Sequence, residues 1–232
     1  MKLLLRSTSL LCCLALMTGC ETDDPSNDNY TYDFNYGSQG WQVAYSDYPA
    51  DYEHIEIYEL QHGISPLPQG FSGQGLMISG HNRSDDLFMF MKRKISGLQP
   101  SSRYKATLKL NLLSNIGIGC MGIGGSPGES VYLKFGYADI EPKQDGYYLN
   151  VDKGNQAQSG SQAKVIGNLA TEGANCEATL YKNKTIETST AQTLDFTSDA
   201  NGNIWFFIGT DSGFEGLTTL YYRSVEIQLK AG

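Results

Sequence analysis

The sequence predicts an all-β fold, built as a two-layer antiparallel β-sandwich. The chain of 232 residues has 26 Gly and 15 Tyr, whereas charged residues make up only 18% of it, below the usual quarter or so. From residue 33 onward, short segments alternate apolar and polar side chains with a period of two. No stretch shows a helical period longer than a turn or two, so about ten short strands have only each other to pack against.

The clearest strand is predicted over residues 104–112. Its two faces separate cleanly, with Tyr104, Ala106, Leu108, Leu110 and Leu112 on one and Lys105, Thr107, Lys109 and Asn111 on the other. Further strands are predicted over residues 85–95, 130–136, 147–151, 163–169, 203–209 and 218–229. Gly- and Pro-containing turn signals stand between them, at 96–100, 145–146, 152–155 and 201–202. We find no internal repeat and no second linker, which predicts a single domain over residues 33–232.

The N-terminus carries a targeting signal. Lys2 and Arg6 precede an apolar run over residues 10–17, which is too short for a transmembrane helix of about 20 residues. The run ends in Met17-Thr-Gly-Cys20, which resembles the lipobox of bacterial lipoproteins. The resemblance implies that residues 1–19 are a signal peptide and that Cys20 becomes an acylated membrane anchor. The alternative is an ordinary signal peptide with a chance cysteine at its end.

The expected mature chain is acidic throughout. Its formal charge is 15 − 25 = −10 once the two basic residues of the signal are removed, and such a charge argues against nucleic acid as a partner. Residues 20–32 are acidic and nearly free of aliphatic side chains, so they are predicted to be a lipid-anchored flexible tether. Glu21 follows the cysteine where some lipoproteins carry Asp. This favours the outer membrane of a bacterial cell envelope.

Two cysteines remain after the signal and the lipidated residue are set aside. Cys120 and Cys176 form an even pair in a compartment that permits oxidation, which predicts a disulfide bond. Two cysteines alone are too few for a zinc site.

Two segments resemble bacterial carbohydrate-binding jelly-roll modules. Ile95-Ser-Gly-Leu-Gln-Pro-Ser-Ser-Arg-Tyr104 is similar to the entry into their central strand, and residues 221–229 are similar to their last strand. Arg223 stands near a position where those modules commonly carry Asp. The resemblance implies a jelly-roll topology and a non-catalytic module that binds carbohydrate.

Two polar loops and one aromatic segment supply the candidate ligand contacts. The loop 81–86 offers Asn82, Arg83, Asp85 and Asp86, and the glycine-rich loop 209–216 offers Asp211 and Glu215. Guanidinium, amide and carboxylate groups suit sugar hydroxyls, and Trp41 could stack on a sugar ring. For each there is a structural alternative, because an Arg83–Asp pair could tie down the loop and Trp41 could plug the core. We predict no cofactor, with a structural calcium ion at Asp85-Asp86 or Asp211–Glu215 as the alternative.

Enzymatic signatures are weak. Residues 117–122 match a dinucleotide fingerprint, but the glycines and proline that follow cannot begin a helix well. Residues 124–128 match a nucleophile elbow, but all three His residues precede Ser126. Tyr132-Leu-Lys-Phe-Gly-Tyr137 is similar to a strand of jelly-roll alginate lyases, which implies Tyr137 as a general acid/base. A polysaccharide lyase is therefore the alternative to a binding module, and a purely structural envelope protein is the third hypothesis.

Overall fold

A computed structural model describes residues 27–49 and 51–232 as two antiparallel β-sheets packed face to face. Sheet A contains β1 (Asn27–Asp33), β3 (Gln61–Pro66), β4 (Gln74–His81), β6 (Arg103–Ser114), β11 (Lys182–Glu187), β12 (Leu194–Thr197) and β14 (Leu217–Ala231). Sheet B contains β2 (Gln42–Ser46), β5 (Phe88–Ile95), β7 (Val131–Ala138), β10 (Ala163–Asn168) and β13 (Ile204–Ser212). A small hairpin, β8 (Gln144–Asp145) and β9 (Tyr148–Leu149), and 3₁₀ turns at Phe34–Tyr36, Ile55–Tyr58 and Thr190–Gln192 complete the described elements. The predicted two-layer antiparallel sandwich is confirmed.

Strand order identifies the topology as a jelly roll. The spatial order is β11-β6-β14-β4-β3 in sheet A and β10-β7-β13-β5-β2 in sheet B. The pairs β4/β5, β6/β7, β10/β11 and β13/β14 are consecutive in the chain but lie in opposite sheets. Repeated crossing between the layers is what produces two interlocked Greek keys.

The main core fills the space between the sheets, and the alternation in the sequence determines which side chains enter it. On β6, the five apolar residues predicted to share a face are all 3% exposed or less. Leu133 and Phe135 of β7 and Phe206 and Ile208 of β13 belong to the same buried cluster from the opposite sheet.

A second, smaller core lies on the outer side of sheet B. Residues 139–162, which we call the strap, connect β7 to β10 and place Leu149 and Val151 in a cluster with Phe88, Phe90 and Phe207. Two lysines of sheet B hold the strap by its backbone carbonyls. Lys92 Nζ donates to Pro142 O at 2.7 Å, and Lys134 Nζ donates to the carbonyls of residues 153 and 158, both at 2.9 Å.

The predicted tether is corrected over residues 27–32, because these residues belong to β1. The strand pairs antiparallel with β14 from Asn27↔Lys230 to Asp33↔Ser224. Tyr32 is only 7% exposed and packs its ring against another aromatic at 5.6 Å. Backbone pairing along β14 and the burial of this ring outweigh the polar composition that suggested a tether. The signal peptide, Cys20 and the rest of the tether lie outside the described residues.

The predicted disulfide is confirmed. Cys120 and Cys176 are bonded, with their Cα atoms 5.3 Å apart. The bond fastens the glycine-rich segment after β6, which forms a loop and carries neither of the two enzyme motifs in its required strand–helix context. Within residues 27–49 and 51–232, no helix is long and apolar enough to cross a membrane.

Candidate functional site

A polar groove of about 610 Å³ crosses the outer face of sheet A. It extends from β11 over β6 and β14 to the 3₁₀ turn that follows β1. Its lining is Asp33, Asn35, Leu67, Ser72, Gly73, Gln74, Asn111, Asn183, Lys184, Thr185, Arg223 and Ser224. The volume falls within the range of about 300–1,000 Å³ that is usual for ligand sites.

A β-bulge in β14 forms the floor of the groove. The register of β14 against β6 shifts between Tyr222 and Ser224, so that Arg223 is the extra residue. Tyr222 and Val225 are both fully buried on the core side, and the two residues between them line the groove. Bulges commonly redirect side chains beside functional sites. Here the bulge brings a guanidinium and a hydroxyl to the same face.

The side chains on the floor form a hydrogen-bonded row. Arg223 Nη1 donates to Asn183 Oδ1 at 2.6 Å. Thr185 Oγ1 donates to Asn111 Oδ1 at 2.7 Å, and Asn111 Nδ2 donates to Ser224 Oγ at 2.9 Å. These contacts hold the polar groups in place before any ligand arrives, and groups held in advance lose less conformational entropy on binding.

The opposite wall is built around Asn35. Its backbone N–H donates to Asp33 Oδ1 at 2.9 Å, and its side-chain Oδ1 accepts from Gln74 N at 3.1 Å. Gly73 packs against this amide at a φ of +90°, and a Cβ there would lie 2.5 Å from Asn35 Oδ1. Tyr36, the next residue along the turn, is 78% exposed.

Sequence reasoning missed this groove, although β14 carries a signal for it. The buried apolar residues of the strand are Leu220, Tyr222, Val225, Ile227 and Leu229. Their spacing is two, except for one step of three between Tyr222 and Val225. Such a step within an alternating strand indicates a bulge.

The two polar loops predicted to hold the ligand do meet at one end of the sandwich, but Asn82 joins them as a structural residue. It is 1% exposed, and its Nδ2 donates to Ser212 O at 2.8 Å and Phe214 O at 3.1 Å. Its Oδ1 accepts from the backbone N–H groups of Ser84 and Leu87. The prediction of Asn82 as a ligand contact is corrected, because the protein itself uses the whole amide.

Trp41 is also corrected as a ligand contact. It is 3% exposed and packs edge-on against Tyr32 at 5.6 Å and Phe34 at 6.5 Å. The pairing of β1 with β14 puts both of these rings over the indole, so Trp41 belongs to the core.

Three of the predicted contacts are exposed and remain predictions. Arg83 donates to His81 Nδ1 at 3.1 Å and to Ile57 O at 3.4 Å. Among the described residues it forms no salt bridge with Asp86, so the predicted alternative of an Arg–Asp pair is not observed. Asp85 adopts a φ of +66° at the tip of the loop. Glu215 hydrogen-bonds through its backbone N–H to Ile123 O at 2.8 Å.

Asp211 lies at the centre of a buried ionic cluster beneath the strap. Its Oδ2 is 2.9 Å from both Lys134 Nζ and Lys153 Nζ, and Lys153 is also 3.2 Å from Asp47 Oδ2. Asp211 is 0% exposed, which corrects its prediction as a ligand contact. Burial lowers the pKa of Lys134, whereas the two carboxylates beside Lys153 raise its pKa despite burial.

Asp86 adds a third carboxyl group to this cluster. Burial is the largest of the effects that together raise the pKa of Asp86 to about 7; the charge of Asp211 and a hydrogen bond with its carboxyl group also raise the pKa, whereas Lys153 lowers it. Asp86 Oδ1 and Asp211 Oδ1 are both buried without a donor from the described residues. With a pKa of about 7, Asp86 is close to the midpoint of its titration at neutral pH.

The residue implied by the lyase alternative lies elsewhere. Tyr137 is half-buried on β7 and packs against Phe196 at 5.7 Å. It lines a cavity of about 400 Å³ together with Arg103, Lys105 and Asp195. This cavity shares no lining residue with the groove of sheet A.

Metal ligands are sparse in the part of the chain that the structure describes. No group of three or more His, Cys, Asp or Glu side chains there is arranged to hold a metal ion.

Comparison with known proteins gives similarity to solved structures alone. No protein-family model and no curated protein matches the chain. A xylan-binding domain from Paenibacillus barcinonensis is 10% identical with a TM-score of 0.39, over 90% of this chain and 97% of that one. The K3 cleaved adhesin domain of Lys-gingipain from Porphyromonas gingivalis is 14% identical with a TM-score of 0.40, over 88% and 99%. Xylanase modules of Clostridium thermocellum complexed with xylohexaose are 15% identical with a TM-score of 0.38, over 89% of this chain and 28% of that one. These values assign the chain to no family.

Proposed function

We propose that this protein is a non-catalytic carbohydrate-binding module whose glycan lies in the groove of sheet A. The observation that carries the proposal is the bulge at Arg223. It directs the guanidinium of Arg223 and the hydroxyl of Ser224 toward a row of amide and hydroxyl side chains on the floor of the groove. Sugar hydroxyls both donate and accept hydrogen bonds, and the asparagine and threonine side chains of the row do the same. Tyr36, which follows the lining residue Asn35 in the chain, has an exposed ring.

The composition of the groove favours binding over hydrolysis. Asp33 is the only carboxylate among its described lining residues, and its Oδ1 already accepts a backbone N–H. Most glycoside hydrolases need two carboxyl groups on either side of the scissile bond. A groove with one such group can orient a glycan without cleaving it.

The test is a glycan array with the full chain, followed by titration calorimetry on the glycans retained. Arg223→Lys keeps the charge but loses the planar fork of donors. A charge-assisted hydrogen bond contributes roughly 1.5–3 kcal/mol, so we expect affinity to fall about tenfold or more. Arg103→Lys is the matched control, because Arg103 is exposed, lies outside the groove and is not among the predicted ligand contacts.

Three results would contradict the proposal. One is the absence of any glycan that binds, and another is equal affinity for the wild type and Arg223→Lys. The third is the formation of unsaturated sugar product from acidic polysaccharides, measured by ultraviolet absorbance. That result would favour the lyase alternative at Tyr137.

Lipid anchoring is a separate part of the proposal. We propose that Cys20 carries the acyl chains and that the module sits on a bacterial envelope membrane, the outer membrane being favoured. β1 begins at Asn27, so residues 20–26, even if fully extended, allow at most about 25 Å between the lipid anchor and the start of β1. Mass spectrometry of the membrane fraction should find a chain that starts at residue 20 with added acyl mass. Recovery of an unmodified soluble chain would refute the anchor.

A further inference from the structure

A small cavity opens beside the ionic cluster, at the end of the sandwich where the loop 81–86 meets the strap. Its volume is about 180 Å³, well below that of the groove. Its lining is Asp47, Asp86, Tyr148, Leu149, Val151, Asp152, Lys153, Gly154 and Asn155. A cavity smaller than the usual range of about 300–1,000 Å³ suits a ligand of one ring more than a chain.

The charges of the cluster leave one carboxylate without a cation. Two lysines, Lys134 and Lys153, pair with two aspartates, Asp47 and Asp211. Asp86 forms no salt bridge with any described residue. It is also the member of the cluster that is least buried. Its Oδ1 is sealed from solvent, and other atoms of the residue line the cavity.

Of the other two acids that line the cavity, Asp47 pairs with Lys153 and Asp152 is satisfied by hydrogen bonds. Asp152 Oδ2 accepts from Ser161 N at 2.8 Å and Ser161 Oγ at 2.7 Å, and its Oδ1 accepts from Gly154 N at 3.0 Å. Asp86 is therefore the carboxyl group that has the capacity to bind something new.

Tyr148 adds an aromatic side chain to the lining of the cavity. Its ring is 63% exposed and meets the Tyr147 ring edge-on at 4.8 Å. The hairpin that carries it is fixed to the cluster, since Asp47 N donates to Tyr147 O at 2.8 Å and Leu149 N donates to Asp47 Oδ1 at 3.4 Å. The ring is thus open to a ligand and held in position.

We propose that this cavity is a second ligand site, distinct from the groove, that takes one pyranose residue carrying an ammonium group. The ammonium pairs with Asp86, and the ring of the sugar lies against Tyr148, whose face also attracts a cation. The preference for a cation rests on Asp86 alone. The choice of a sugar rests on the proposed carbohydrate-binding function.

Binding at this site is coupled to a proton. The groups that face Asp86 are Asp47 after β2, Asp211 on β13, Lys134 on β7, and Lys153 and Tyr147 on the strap. The ammonium pairs with the ionised form of Asp86, so the proton of this carboxyl group is released on binding and affinity follows the ionised fraction of Asp86. An amine near hydroxyl groups keeps its charge below pH 7, as α-amino groups with pKa values of about 7.7–8.0 do. Between pH 5.5 and pH 7 affinity therefore increases about tenfold.

The experiment uses titration calorimetry of the full chain with methyl glucosaminide, compared with methyl glucoside, methylammonium and calcium chloride. We expect the amino sugar to bind and to release protons at pH 6.5, which is seen as a dependence of the heat on the buffer's ionisation enthalpy. Asp86→Asn should weaken binding at least about tenfold and abolish proton release, and Tyr148→Ala should weaken binding without touching the cluster. Tyr36→Ala, at the groove, is the matched control for the tyrosine.

Several outcomes would overturn the proposal. Equal affinity of the wild type and Asp86→Asn for the amino sugar would refute the ion pair with Asp86. Equal affinity of the wild type for methyl glucosaminide and methyl glucoside would refute the preference for a cation. If methylammonium binds as tightly as methyl glucosaminide, the sugar ring contributes nothing and the choice of a sugar is refuted. If calcium competes with the amino sugar, the cavity is a metal site instead. Arg223→Lys separates the two sites, because it should weaken glycan binding in the groove about tenfold or more and leave binding of the amino sugar intact.

Discussion

Asp86→Asn should make the protein more stable above neutral pH. In the folded protein the pKa of Asp86 rises from 3.8 to about 7, so the folded state binds this proton more tightly than the unfolded state does. The stabilisation from the proton is complete below about pH 4 and is lost as the pH rises through about 7. Asn stays neutral at every pH and can donate to Asp211 Oδ1 as the protonated acid does.

The magnitude follows from the change in pKa. A rise from 3.8 to about 7 corresponds to about 4 kcal/mol between the two ends of the titration. Asp86 is partly open to solvent, and screening reduces this to roughly 2 kcal/mol. For a chain of this size, such a difference shifts the melting temperature by about 4–8 °C.

The assay is urea denaturation of the wild type and Asp86→Asn at several pH values between 4.5 and 8.5. The free energies of unfolding should be close at the acid end and diverge by roughly 2 kcal/mol at the alkaline end, with the variant more stable. Asp85→Asn is the matched control, because it removes an adjacent but exposed carboxylate at a φ of +66° that Asn tolerates. A variant that is less stable than the wild type at pH 8.5, or a parallel pH profile, would refute the shared proton.

Two further predictions concern the loops. The double variant Cys120→Ala/Cys176→Ala opens a loop of 57 residues and should lower the free energy of unfolding by about 4 kcal/mol. A change below about 1 kcal/mol in urea denaturation would contradict this prediction. Thiol titration of the unreduced wild type should find no reactive thiol at either position. Asn82→Ala leaves buried donors and acceptors of two loops without partners and should cost about 2–4 kcal/mol by the same assay, whereas Asn201→Ala on an exposed turn should leave stability nearly unchanged.

The fold could be predicted from the alternation along single strands, but the contacts between distant segments could not be predicted. The faces of β6 could be assigned from residues 104–112 because each position depends only on its neighbours. Trp41 could not be assigned, since its environment depends on Tyr32 and Phe34 and on where β1 pairs. The same limit applied to Asn82, whose amide is used by loops about 130 residues away in sequence.

The ionic cluster shows both sides of this limit. Its five members come from five separate segments, and no spacing in the sequence relates them. Lys134, however, stands between Leu133 and Phe135 in a strand buried on both faces, and a lysine in such a strand requires a buried acid or carbonyl partner. The sequence therefore indicates that Lys134 has a buried partner, but it does not identify that partner as Asp211 or the carbonyls of the strap.

The central position of β14 determines when sheet A can assemble. This strand pairs with β1, β4 and β6, so the C-terminal 15-residue strand joins segments that are synthesised as much as 200 residues earlier. Until it emerges, β4 and β6 have no strand between them and β1 has no described partner. Contacts of such long sequence separation form slowly, and strands waiting for a partner expose their edges to other chains. The native sheet therefore forms only after β14 has been synthesised, and a chain shortened within β14 leaves the β3–β4 pair apart from β6 and its partners β11 and β12.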